Sequence, residues 1–165
     1  MTDANDHILA WLRDAHAAEK QAEAMLSSMS NRLEHYPDLK ARIDQHVEET
    51  RHHSELVEGC LERLGHSPST LKDMGTKLMG FGQAISGVFT DDEVAKGVLA
   101  SYTFEHMEIA SYKMLIAAAS QRGDMQTAQV CTEILHDEES MANWLGANLE
   151  SITMKFLELE RAETG

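Results

Sequence analysis

Residues that interrupt helices are scarce in this chain. Only two prolines occur among 165 residues. Pro37 and Pro68 both lie between helical patterns, where a turn followed by a helix start is expected. No stretch shows the alternation of apolar and polar residues that is typical of strands. The sequence therefore predicts an all-α protein.

Cysteine and long apolar runs are also scarce. Cys60 and Cys131 lack CxxC or zinc-type spacing, so we expect buried or free thiols of a reducing compartment. No window approaches the roughly 20 apolar residues that span a bilayer. The start, MTDANDHILAWLRDAH, has no basic region followed by an apolar stretch, as a secretory signal would. We therefore expect a cytoplasmic protein with one domain over residues 1–165.

Basic residues are outnumbered two to one. The 14 lysines and arginines face 28 acidic residues, which gives a formal net charge of -14. This balance argues against a general DNA or RNA binder and against docking on an anionic membrane. An acidic surface is the common explanation of such a charge. The alternative is that part of the carboxylate holds cations.

Apolar residues at steps of three and four predict four long helices. The first two are expected over about 6–33 and 38–64, the second ending at Gly65. The third starts after a cap at Thr90 and ends near Gly123, and the fourth follows Asp124. Residues 66–90 form a long crossover with room for a short extra helix. Two αα-hairpins joined by one long crossover are the ferritin-like four-helix bundle.

Glutamates interrupt the apolar stripes of these helices. Glu19, Glu105 and Glu138 occupy inward positions on the first, third and fourth helices, and Glu49 lies at the flank of the inward face of the second. Burial of an ionised carboxylate costs on the order of several kcal/mol unless the carboxylate is paired or binds a cation. Antiparallel hairpins with turns midway would bring all four to one level. The pattern predicts a pair of divalent metals in the bundle core; the competing interpretation is a buried network with lysine or arginine.

The segment HVEETRHHSEL, residues 46–56, supplies imidazole nitrogen. Glu49 and His52 fit the Glu-x-x-His pattern of di-iron bundles, but a helical wheel places His52 toward solvent and His53, with His46, nearer the core. We favour His53 as the ligand and keep His52 as the alternate. The competing interpretation is a histidine at the core edge without a metal.

The fourth helix lacks the matching histidine. The residue three positions after Glu138 is Met141. Glu108, three residues after Glu105, could supply the missing ligand from the third helix. His106 and His136 are lesser candidates. The missing second histidine makes the predicted site atypical.

The sequence resembles the YciE/YciF family of bacterial ferritin-like proteins over residues 6 to 157. The stretches that carry the resemblance are LRDAHAAEKQAEAML, HVEETRHHSELVEGCLERLG, FEHMEIASYKMLIAAA and ILHDEESMANWL. The resemblance implies a ferritin-like homodimer with a stress-associated role and a dinuclear metal site at Glu19, Glu49, Glu105 and Glu138. The family pattern often has histidine or glutamine at the place of His53, and commonly an acidic residue at that of Ala142. The family has no settled reaction.

Two functional hypotheses follow from these residues. In the first, the bundle holds two divalent metals, iron or manganese, that react with oxygen or peroxide. Where the metal is iron, this reaction would oxidise Fe(II). In the second, it is a non-catalytic dimeric stress-protection or interaction protein with a vestigial site. Tyr102 and Tyr112 flank Glu105, either as electron relays or as partners of a buried carboxylate. A further group is expected to pack the core: Met25, Met29, Met114, Met141 and Met154.

Overall fold

The computed structural model describes residues 4–66 and 94–164, and four α-helices make up most of this part of the chain. They are α1 (Ala4–Ser30), α2 (Pro37–Arg63), α3 (Val94–Gln121) and α4 (Met125–Thr164). The described residues contain no strand. The all-α class is confirmed. The predicted crossover, apart from His66, and the predicted cap at Thr90 lie outside the described residues.

The helix ends follow local chemistry. Pro37 occupies the first turn of α2, where its missing N–H costs no hydrogen bond, and Asp38 follows in the same turn. Gly65 and Gly123 adopt positive φ angles of 88° and 74° just after α2 and α3. A side chain at such a φ would be strained, so glycine suits both stops. Asp124 then caps α4, because its Oδ1 accepts the Thr127 backbone N–H at 3.2 Å.

The four helices form two hairpins that point in opposite directions. α1 packs on α2 and α3 on α4, while further contacts join α1 to α3 and α2 to α4. The turn between α1 and α2 lies at one end of the bundle, and the turn between α3 and α4 at the other. α2 therefore ends, and α3 begins, at opposite ends of the bundle. This is the ferritin-like connectivity that the sequence predicts.

Two apolar clusters fill the bundle on either side of its middle. The first turn cluster surrounds the α1–α2 turn, with Leu26, Leu33 and Leu145 among its buried residues. The second turn cluster surrounds the α3–α4 turn, with Leu12 and Ile134 among its members. Buried aliphatic side chains at both ends fix the relative height of the four helices. The residues between the clusters are thereby held at one level.

Most of the predicted core is buried, but two methionines are not. Met29 and Met141 are buried, and Met25 packs against the first turn cluster. Met114 and Met154 are 54% and 53% exposed, so their predicted core positions are wrong. Their helical spacing places them beside the apolar stripe rather than within it. None of the helices in the described ranges is both long and apolar enough to cross a membrane.

Candidate metal centre

Between the two apolar clusters lies a carboxylate layer. We use this name for six buried residues from all four helices: Glu19, His46, His53, Glu105, Glu108 and Glu138. None of these side chains is more than 1% exposed. Their polar atoms are out of reach of bulk water, so they must interact with one another or with a bound group.

The layer contains two groups of three converging atoms. In the first group, His46 Nε2 lies 3.2 Å from Glu105 Oε2 and 3.3 Å from Glu138 Oε2. In the second, His53 Nδ1 lies 2.9 Å from Glu138 Oε1 and 3.5 Å from Glu19 Oε2. Glu138 belongs to both groups and contributes one oxygen to each. A carboxylate shared in this way offers one oxygen to each of two metal positions.

Helix spacing explains how α2 supplies both nitrogens. His46 and His53 are seven residues apart, which is two turns, so their rings stand on the same face of α2 with centroids 6.3 Å apart. His46 reaches toward α3 and α4, whereas His53 reaches toward α1 and α4. One helix face thus serves both groups.

The outer nitrogen of His46 is held within α2 itself. His46 Nδ1 lies 2.7 Å from Glu49 Oε2. The same Glu49 carboxylate accepts hydrogen bonds from Arg42 Nη1 at 3.2 Å and Gln45 Nε2 at 2.7 Å. In the neutral ring, donation of Nδ1–H to Glu49 would leave the Nε2 lone pair directed at the first group. This is the carboxylate–histidine contact that orients metal-binding imidazoles.

The second group has outer contacts from two other helices. His53 Nε2 lies 3.1 Å from Asp137 Oδ2 on α4. The buried phenol of Tyr112 on α3 donates a hydrogen bond to Glu19 Oε1. Of the two explanations for Tyr112 that the sequence left open, the partner of a buried carboxylate is the one that this contact fits. Tyr102 instead packs edge-on against His106, with ring centroids 4.7 Å apart.

In the metal-free layer, burial and neighbouring groups shift the pKa values of the carboxylates and imidazoles. Burial raises the pKa of Glu105 to about 8, although His46 acts to lower it. Burial also raises the pKa of Glu19 and Glu108. Burial acts to lower the pKa of His53, but the contacts with Glu138 and Glu19 raise it to about 10. Without metal, the layer therefore retains protons that a divalent cation would displace.

The donor atoms fit a pair of divalent cations. Although they approach one another closely, several make no hydrogen bond of acceptable geometry: Glu19 Oε2, His46 Nε2, His53 Nδ1, and both oxygens of Glu105, Glu108 and Glu138. Buried polar atoms are rarely left in this way, and each such group needs an explanation. No lysine or arginine forms an ion pair with these carboxylates among the described residues. Carboxylate oxygen with one imidazole per position suits iron and manganese.

The structure brings together four of the predicted ligands. Glu19, His53, Glu105 and Glu138 converge in the two groups. Glu108 is buried in the same layer but belongs to neither group. Its carboxylate lies near enough to Glu19, Glu138 and Glu105 for their charges to raise its pKa further.

The other predicted ligands lie elsewhere. Glu49 is 21% exposed and contacts His46 instead of the two groups, because its position at the flank of α2 directs it toward Arg42. The alternate ligand His52 is 58% exposed, and its Nδ1 lies 3.9 Å from Glu55 Oε2. His106 and His136 are exposed as well. None of these three histidines belongs to either converging group.

His46 is the donor that the sequence reasoning did not select. The helical wheel placed it near the core beside His53, and its two-turn spacing from His53 was visible. The Glu-x-x-His pattern is formed by Glu49 and His52, and neither residue belongs to the two groups. Met141 and Ala142 are both buried but offer neither imidazole nor carboxylate, and the fourth helix contributes only Glu138 to the two groups.

Comparisons with known proteins agree with this fold. The model of the domain of unknown function DUF892 matches residues 3–158, and the chain belongs to this family. A crystal structure of a Xanthomonas campestris protein is 44% identical, with 96% of this chain and 99% of that chain covered and a TM-score of 0.80. The E. coli stress protein YciF is 26% identical over 94% of this chain and 99% of its own, with a TM-score of 0.78. These neighbours confirm the YciE/YciF resemblance.

A more distant neighbour extends the fold comparison. Symerythrin from Cyanophora paradoxa is 16% identical over 92% of this chain and 86% of its own, with a TM-score of 0.61. At this identity the likeness concerns the fold alone. The helices of the chain thus follow a ferritin-like bundle, within which the carboxylate layer lies at mid-height.

Proposed function

We propose that this member of the DUF892 family holds two divalent metal ions, iron or manganese, one at each converging group of the carboxylate layer. The observation that carries the proposal is Glu138, whose Oε1 faces His53 and Glu19 while its Oε2 faces His46 and Glu105. Glu108 is the additional carboxylate available to either ion. Once their protons are displaced, the buried carboxylates that lack hydrogen bonds would supply negative charge that two cations neutralise.

The proposed reaction is the reduction of peroxide or oxygen, with oxidation of Fe(II) where iron is bound. When bound, the metal pair supplies two electrons, one from each ion, with which hydrogen peroxide and two protons become two molecules of water. Glu138 would contribute one oxygen to each position, and the outer carboxylates Glu49 and Asp137 would keep the imidazoles turned inward. The apolar clusters on either side exclude water from the layer.

The test is anaerobic loading with Fe(II) followed by addition of peroxide. We expect close to two iron ions per chain and a new charge-transfer absorption on oxidation. Glu138→Ala should abolish both signals, because it removes an oxygen from each position. Glu133→Ala, which removes an exposed glutamate from the same helix, is the matched control and should behave as the unsubstituted protein. Iron binding no greater than that of Glu138→Ala would contradict the proposal.

The competing function is a non-catalytic, homodimeric stress-protection protein with a vestigial site. The observation in its favour is Met141, which is fully buried where the fourth helix would carry a second histidine. The stress role rests on the similarity to the E. coli stress protein. Metal bound without any absorption change on addition of peroxide or oxygen would favour this function. Light scattering should then give a dimer whose mass does not depend on metal loading.

A further inference from the structure

The two histidines of the carboxylate layer face it with different ring nitrogens. His46 turns Nε2 inward, 3.2 Å from Glu105, whereas His53 turns Nδ1 inward, 2.9 Å from Glu138. The nitrogen that faces outward is therefore Nδ1 in His46 and Nε2 in His53. A neutral imidazole carries its proton on one nitrogen only, and its partner decides which.

The outer partners of the two rings are attached differently. Glu49 stands on α2 three residues from His46 and is itself held by Arg42 and Gln45. Asp137 stands on α4, across the helix interface from His53, and its side chain is 37% exposed. One imidazole is thus oriented within its own helix, and the other depends on a contact between helices.

From this difference we infer that Asp137 is a positioning residue: it holds the proton of His53 on Nε2, so that Nδ1 binds the metal between Glu19 and Glu138. The inference rests on the proposed dinuclear site and adds that its two positions are held by independent outer carboxylates. Asp137 does not reach the donor atoms themselves, since its Oδ2 contacts the opposite nitrogen of the ring.

Loss of Asp137 should weaken one metal position and leave the other unchanged. Without its acceptor, the Nε2 proton of His53 loses its fixed partner, and the ring can place the proton on Nδ1 or rotate. Removal of an outer carboxylate typically lowers metal affinity by about 10- to 100-fold. His46 approaches Glu105 and the other Glu138 oxygen, Oε2, and its outer partner is Glu49 rather than Asp137.

The experiment is a zinc titration of the full chain together with nitrogen NMR of 15N-histidine-labelled, zinc-loaded protein. The unsubstituted protein should bind two ions, with one imidazole bound through Nε2 and another through Nδ1. Asp137→Ala should lower the affinity of one ion by the expected factor and remove the resonance of the Nδ1-bound ring. Asp137→Asn keeps an acceptor oxygen and should restore that resonance, with an intermediate affinity.

Glu139→Ala is the matched control. It removes an ion-paired carboxylate two residues farther along α4, with the side chain 43% exposed and its Oε1 2.8 Å from Lys113 Nζ. Equal zinc affinities in Asp137→Ala and Glu139→Ala, or two imidazoles both bound through Nε2, would overturn the inference and leave the metal site standing. Failure of the unsubstituted protein to bind zinc or iron would instead overturn the proposed site, and the inference with it.

Discussion

The carboxylate layer and the two apolar clusters are both buried, but they contribute to stability in opposite directions. Leu12 and Glu138, for example, both have no exposed surface. Burial of the leucine removes apolar area from water and stabilises the fold. Burial of the glutamate removes a carboxylate from water and destabilises the metal-free fold unless its charge is compensated. The apolar residues therefore stabilise the bundle, whereas the residues of the carboxylate layer destabilise the metal-free bundle and are available as metal ligands.

Loss of Glu138 should have the largest effect on metal binding. Glu138→Ala removes one oxygen from each converging group, so we expect both ions to be lost. The decrease in affinity should exceed the roughly 10- to 100-fold that is typical of outer contacts. Metal analysis after desalting measures it. His46→Ala and His53→Ala should each remove one ion. Loss of both ions in either single variant would show that the two positions are not separate.

Truncation within an apolar cluster should have the next largest effect, on folding. Leu12→Ala should lower the free energy of unfolding by about 2–5 kcal/mol, because it leaves a cavity in the second turn cluster. Urea denaturation followed by circular dichroism measures this change. Leu99→Ala, at a leucine that is 55% exposed, should cost much less. The number of metals bound by Leu12→Ala should remain two, and its loss would contradict the separation of layer and clusters.

Replacement of Glu108 by leucine should act in the opposite direction. Both Glu108 oxygens are buried without a hydrogen bond, so Glu108→Leu should raise the free energy of unfolding of the metal-free protein. Replacement of buried ionic groups by apolar ones has stabilised proteins by about 1–4 kcal/mol. Glu133→Leu, at an exposed glutamate, is the control and should change little. Destabilisation by Glu108→Leu in the absence of metal would contradict the account of the layer.

Metal binding should release protons. The resulting pH dependence of the metal affinity is the smallest effect that we predict. Near neutral pH, His53, with a pKa of about 10, and Glu105, with a pKa of about 8, both hold protons in the metal-free protein. Cations displace these protons, so the apparent affinity should rise with pH and fall on acidification. Mn(II) titration in weakly buffered solution with an indicator dye measures the release. His52→Ala should leave it unchanged because His52 is exposed, and an affinity independent of pH would contradict the proton-bearing layer.

The sequence contained enough information for the bundle and for most of the layer. Glu19, Glu105 and Glu138 were recognisable because each interrupts an apolar stripe, and a stripe is set by the period of the helix. Gly65, Gly123 and Asp124 marked helix ends because positive φ and capping have local signatures. These features depend only on neighbours within one helix.

The orientation of flanking residues could not be predicted in the same way. Glu49 was expected in the site because the hairpin places it at the right level, yet at the flank of α2 its carboxylate turns to Arg42 and Gln45. Asp137 has no distinguishing pattern in the sequence, and its contact with His53 arises only when α2 and α4 pack. The height of a residue along the bundle follows from its spacing in the chain. The direction of its side chain around the helix axis, and the choice of ring nitrogen, follow from packing between helices.

The most direct test is an anomalous-scattering map of crystals of the metal-loaded protein. The account predicts two peaks at mid-height in the bundle, one beside Glu138 Oε1 with Glu19 and His53, and one beside Glu138 Oε2 with Glu105 and His46. A layer without metal peaks, or peaks only at surface carboxylates, in crystals grown with saturating Fe(II) or Mn(II) would contradict it.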